Sequence, residues 1–97
     1  MGKRVLLAAR DLFFRSKLQG VLQAAGAEAT REAPCDLAVV ELGAAGVDDQ
    51  IRALVGQGIP VLAFGSHVKA DELRAARALG ARAVPNSEVE VALRALL

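Results

Sequence analysis

Neither tryptophan nor tyrosine occurs among the 97 residues, and Phe13, Phe14 and Phe64 are the only aromatic side chains. A surface that stacks the bases of single-stranded nucleic acid on aromatic rings is therefore excluded. A single cysteine, Cys35, has no internal partner for a disulfide, which fits a reducing compartment and a cytoplasmic protein. No apolar stretch approaches the roughly 18 to 20 residues of a membrane span. Met1-Gly2-Lys3-Arg4 passes into a short apolar run with polar residues close behind, unlike a secretory leader. Twelve basic residues against eleven acidic ones give a net charge of +1, too small for the chain as a whole to bind a phosphate backbone, which argues against a nucleic-acid partner.

What is present is apolar material, 54% of the residues, interleaved with 24% charged residues. That mixture suits one compact domain spanning residues 1–97 and leaves no length for a second. Short apolar runs alternate with segments of helical period. Val5-Leu6-Leu7-Ala8-Ala9 is a continuous run of strand length, as expected of a parallel strand covered on both faces. Phe14, Leu18, Val21, Leu22 and Ala25 then recur at helical spacing, and Gly26 marks the helix end. Ala27–Thr30 reads as a weak strand and Asp36–Leu42 as a strong one. Asp48 suits an N-cap for a helix carrying Ile51, Leu54 and Val55, which the Gly56-Gln57-Gly58 run ends. Ile59–Phe64 is a buried-type strand with Pro60 at its entrance. A helix over Lys69–Leu79, a strand over Arg82–Val84 and a last helix follow. Ser87 and Glu90 have the spacing of a capping box, and Val89, Leu93, Leu96 and Leu97 share one face of that last helix. The pattern predicts an α/β protein, a three-layer doubly wound parallel sheet of five strands.

Ligands of such sheets bind beyond the carboxyl ends of the strands, so chemistry is sought there. The first strand ends in Ala9-Arg10, leaving Asp11 and Glu41 as the only nearby acids, a poor magnesium site. The loop Ala8-Ala9-Arg10-Asp11 has no glycines to admit a phosphate to its amides, so a dinucleotide or P-loop site is excluded. Ser66 with His67, or Cys35 with His67, could be drawn as a nucleophile and base. Adjacent side chains point apart, however, and Cys35 falls at the opposite end of the sheet from His67. No cofactor or metal site is expected.

The order and spacing of Asp36-Leu37-Ala38-Val39-Val40-Glu41-Leu42, of Ile59-Pro60-Val61-Leu62-Ala63-Phe64-Gly65-Ser66-His67 and of Ala78-Leu79-Gly80-Ala81 resemble the receiver domain of bacterial two-component response regulators over nearly the whole chain. The resemblance implies a flavodoxin-like sheet of order 2-1-3-4-5. It also implies that Ala9 and Arg10 hold the places of the acidic pair that binds magnesium, and that Glu41 holds the place of the phospho-accepting aspartate. Gly65 takes the position of the hydroxyl residue, with Ser66 one place late, and the family's lysine falls near Asn86 or Ser87. With every phosphotransfer position substituted, the expected function is a non-enzymatic, phosphorylation-independent signalling or protein-interaction module. In that reading Arg10 pairs with Glu41 in place of a metal, while a solvated strand-end acid is the simpler alternative. A small α/β enzyme or ligand-binding protein using the Ser66-His67 loop is the rival from another class.

A second departure from the family is that only residues 31–35 separate the second strand from the third, so the helix expected there is missing. Either the strand Val5–Ala9 then exposes apolar surface to a partner, or side chains of the connection itself close the gap. Receivers commonly pair through the face of the fourth helix, fifth strand and fifth helix. The same face here offers Arg74, Arg77, Arg82, Glu90 and Leu93 for a homodimer. Charge is uneven, with +4 over residues 1–31, −5 over 32–50 and +2 over 51–97.

Overall fold

The computed structural model describes residues 2–97. The elements run β1 (Arg4–Ala8), α1 (Leu12–Ala24), β2 (Glu28–Thr30), β3 (Leu37–Glu41), α2 (Val47–Gly56), β4 (Val61–Gly65), α3 (Ala70–Ala78), β5 (Arg82–Pro85), a 3₁₀ turn (Asn86–Glu88) and α4 (Val89–Leu96). The five strands form one sheet of order β2-β1-β3-β4-β5, every neighbouring pair parallel. That is the expected doubly wound arrangement, and no helix lies between β2 and β3. No helix of the described residues is long and apolar enough to cross a membrane.

Alternation along the strands divides the core into two layers. Val5, Val39, Leu62 and Phe64 pack with Leu18 and Leu22 of α1 and Leu93 of α4. Leu6, Ala38, Val40 and Ala63 face Ile51 and Leu54 of α2 and Leu73 and Ala76 of α3. Leu96 and Leu97 are partly buried against the first layer, so the apolar end of α4 is absorbed by the chain's own core.

The missing helix does not uncover β1. Val5, Leu6 and Ala9 are buried and Leu7 and Ala8 half-buried, so of the two expectations the exposed apolar strand fails and the closed gap holds. Part of the reason is that Cys35, just ahead of β3, packs against the same layer as Leu6 and Ala8. Arg4 and Asp36 also clasp each other. The Arg4 amide donates to Asp36 Oδ2 at 2.8 Å, and the Asp36 amide donates to the Arg4 carbonyl at 2.7 Å. The Arg4 guanidinium reaches the Pro34 carbonyl at 3.1 Å and Thr30 Oγ1 at 3.2 Å, strapping the connection to the sheet edge.

Three local expectations change. α2 starts at Val47, with Gly46 at the cap in the left-handed region (φ 79°), and Asp48 lies in the first turn, where its charge favours the helix dipole. Ser87 sits inside the 3₁₀ turn and makes no capping bond to α4; Glu90 does not reach back to it because its carboxylate is held by Lys17 and Arg94. β4 begins at Val61 and runs on to Gly65, while the Pro60 carbonyl still accepts from the Ala38 amide at 2.9 Å.

Gly80 ends α3 with φ 102°, and a Cβ there would stand 3.1 Å from Val55 Cγ1. Gly20 lies within α1, where an added Cβ would meet nothing within 4 Å, so only its conformational entropy matters. Gly80→Ala is expected to lower unfolding stability by about 1–3 kcal/mol, and Gly20→Ala to raise it by about 0.5–1 kcal/mol. Urea titration of the two variants checks both the sizes and the opposite signs.

Candidate functional site

Because the strands are parallel, their carboxyl ends gather at one edge, and the residues singled out in the sequence meet there. Ala9 is buried under the start of α1, whereas Arg10 is exposed. Asp11 caps α1, its Oδ1 accepting from the amides of Phe13 (2.8 Å) and Phe14 (3.4 Å). Glu41, the half-buried last residue of β3, turns its carboxylate toward this corner. Its Oε1 accepts from the Arg10 amide at 2.7 Å and from the Asp11 amide at 3.0 Å.

The expected pairing of Arg10 with Glu41 is thus made by the backbone and not by the guanidinium. None of the five ion pairs among the described residues joins Arg10 to Glu41. Two strand-end amides point at β3 and satisfy one carboxylate oxygen, which leaves the Arg10 side chain in water. Arg15 completes the corner from one turn into α1, donating Nε–H to the Ala9 carbonyl at 3.1 Å. Above Glu41 lies a concavity of about 230 Å³ whose charged lining is Arg10, Arg15 and Glu41. One carboxylate between two guanidinium groups is unlike the converging carboxylate and carbonyl oxygens that surround a divalent cation. Among the described residues no three His, Cys, Asp or Glu side chains cluster as a metal site.

At the end of β4, Gly65 is buried, and a Cβ there would meet Leu42 Cβ at 3.2 Å, so Leu42 occupies the space a side chain would need. Ser66 Oγ accepts from the Val68 amide at 3.3 Å, closing a local turn. His67 is exposed beside it, and Cys35 precedes β3 at the other end of the sheet.

The residues expected at a dimer face do not form one free surface. Leu93 is 0% exposed and belongs to the core, a correction that follows from its place on the inner face of α4. Arg77 donates twice to the Ala83 carbonyl, at 3.2 and 2.8 Å, tying α3 to β5. Arg74 pairs with Asp71 one turn earlier on its own helix. Glu90 bridges Lys17 of α1, at 3.2 Å, and Arg94. Arg74 and Arg77 are nevertheless exposed, as is Arg82 on the edge strand, which lines a shallow concavity with Val91. Two features are not signalled by the sequence pattern. Leu12 and Phe13 stand 73% and 67% exposed at the start of α1, off the stripe through Phe14, and Lys17 lies 5.6 Å over the Phe13 ring.

The Lys17 hydrogen bond holds the Glu90 carboxyl below its ordinary value against a smaller opposing effect of burial, and Arg94 adds to the lowering. A carboxyl lowered by folding stabilises the protein above its unfolded value, and that contribution fades as pH falls through the folded value. Glu90→Gln is therefore expected to flatten the acid limb of a stability-against-pH curve below the carboxylate range while lowering stability at neutral pH. Denaturant midpoints taken from pH 3 to 7 read this out. At the β1–α1 corner, Glu41→Ala is expected to cost about 1–2 kcal/mol by leaving two amides without their acceptor. Arg10→Ala should stay within about 0.5 kcal/mol. Equal losses in the two variants would restore the guanidinium pair.

Neither a protein-family model nor any curated protein matches the sequence. Solved structures do match it. The beryllofluoride-activated DrrB receiver domain aligns with a TM-score of 0.81 and 14% identity, covering 99% of this chain and 94% of that one. The receiver domain of Francisella response regulator 1452 aligns at 0.77 and 13% identity, covering 98% and 93%. A response regulator from Burkholderia multivorans aligns at 0.72 and 21% identity, covering 99% and 92%. At these identities the likeness concerns architecture: the chain has the fold of receiver domains, with a flavodoxin-like sheet lacking the helix between its second and third strands.

Proposed function

We propose that the chain is a receiver-like signalling module that acts through protein contacts, without phosphoryl transfer and without catalysis of its own. The observation that carries this reading is the Glu41 carboxylate, held by the Arg10 and Asp11 amides at 2.7 and 3.0 Å where receivers carry an attacking aspartate. A phosphoryl group needs an in-line nucleophile and a divalent cation that bridges its oxygens. Here the carboxylate is already engaged, and the positions that would hold the cation are Ala9 and Arg10. Gly65 brings no hydroxyl, and Ser66, one place on, uses its hydroxyl to close its own turn. In this reading the corner is held in one state by bonds internal to the chain, so the module's output does not wait on a donor. The rival reading, with chemistry at the Ser66-His67 loop, has no supporting geometry in that local turn.

Incubation with magnesium and acetyl phosphate, and separately with beryllofluoride, tests the proposal. The expected result is an unchanged intact mass and unmoved amide signals at Arg10, Asp11 and Glu41. A stoichiometric phosphorylated species, or fluoride-dependent shifts confined to this corner, would overturn it. Light scattering on the same samples across a concentration range reads whether a second copy is the partner.

A further inference from the structure

On the α1 side of the sheet, over the last residues of β1 and β2, a groove of about 380 Å³ is lined by Leu7, Arg15, Gln19, Ala29, Thr30 and Arg31. That volume lies within the range of small-ligand sites. Leu7 of β1 and Ala29 of β2, on neighbouring strands, give it one apolar strip. Its walls are basic. Arg15 and Gln19 stand four residues apart on α1 and so share one helix face. Arg31 comes directly off the end of β2, because the connection to β3 contains no helix. No carboxylate lines the groove.

What the groove offers is two guanidinium groups on one concavity with no acid in its lining. The five ion pairs of the described residues engage Arg4, Lys17, Arg52, Arg74 and Arg94. Arg15 and Arg31, on one concavity, belong to none of them. Arg15 is positioned by its Nε–H bond to the Ala9 carbonyl, which leaves the two terminal nitrogens of the guanidinium for another acceptor. Thr30 contributes shape only, since its hydroxyl is already shared between Arg4 and the Glu32 carbonyl. Two guanidinium groups beside the apolar side chains of Leu7 and Ala29 select an anion with a hydrocarbon body.

We propose that this groove binds a small organic anion, a phosphate or carboxylate head gripped by Arg15 and Arg31 with its apolar body laid on Leu7 and Ala29. The Gln19 amide supplies a further donor. Because Arg15 also holds the Ala9 carbonyl, next to the amides that hold Glu41, an occupant of the groove is linked to the β1–α1 corner. The proposal stands independently of whether the corner takes a phosphoryl group.

Phenyl phosphate, benzoate and inorganic phosphate serve as probes, followed by amide chemical shifts of the intact chain at constant ionic strength. Saturable shifts at Arg15, Gln19, Thr30 and Arg31 are expected with phenyl phosphate or benzoate, and the tighter of the two assigns the head group. Inorganic phosphate should bind more weakly, because it leaves the apolar strip uncovered. Arg31→Ala, on an exposed segment, is expected to weaken binding about tenfold or more. Arg15→Lys keeps the charge but loses the fork and should weaken it less. Arg82→Ala removes the same charge from the opposite edge of the sheet and should leave affinity within about twofold. No saturable shift up to about 10 mM, weaker than any useful site of this kind, would overturn the proposal. Equal affinity in Arg31→Ala, or an equal loss in Arg82→Ala, would do so as well.

Discussion

The structure rests on the burial of its two central strands on both faces. Leu37, Ala38, Val39 and Val40 of β3 and all of Val61–Gly65 of β4 are buried, so every one of their side chains is either apolar or absent. Parallel strands with helices above and below can carry nothing else, since a polar group in that position would lose water without gaining a partner. Polar chemistry is consequently displaced to the strand ends. Glu41 is the first residue of β3 at which helix cover gives out, and the nearest groups able to receive its charge are the amides that open the β1–α1 turn.

That turn is overdetermined. Asp11 caps α1, Glu41 takes the two amides ahead of it, and Arg15 takes the Ala9 carbonyl. Three charged side chains therefore satisfy backbone groups that a tight strand-to-helix turn would otherwise leave to water. Charge-assisted bonds to backbone are among the stronger ones available, and each carries geometric direction. The consequence is a corner defined by the chain's own groups.

The helix-free connection between β2 and β3 shapes the other side of the molecule. A shorter chain segment covers the same strand edge by a clasp, with Arg4 and Asp36 bonded reciprocally and Cys35 packed beside Leu6 and Ala8. The clasp holds the segment flat against the sheet and lets Arg31 leave the strand directly toward α1. The exposed Arg31 and half-buried Arg15 then share a groove with no acid in its lining.

Much of this was determined by the sequence alone. Continuous apolar runs at Val5–Ala9, Leu37–Val40 and Val61–Phe64 have the length and composition of covered parallel strands, and the glycines after Ala25 and Leu79 mark helix ends, so the layered α/β architecture was legible, while the strand order was implied by the resemblance to receiver domains. Side-chain partners were not. The Ser87 and Glu90 spacing has the form of a capping box, yet Glu90 is drawn to Lys17, a cation supplied by a distant helix. Arg10 and Glu41 read as an ion pair because sequence displays side chains and leaves backbone amides invisible, and only the register of β1 against β3 reveals that the amides are closer. Likewise Arg15 and Arg31 look like two ordinary surface charges until α1 and the end of β2 are folded side by side. Local pattern specifies which residues must leave water, because hydrophobic burial is a property of each segment. Tertiary packing decides which polar atoms meet, because hydrogen bonds and ion pairs act over a few ångströms between segments the chain keeps far apart.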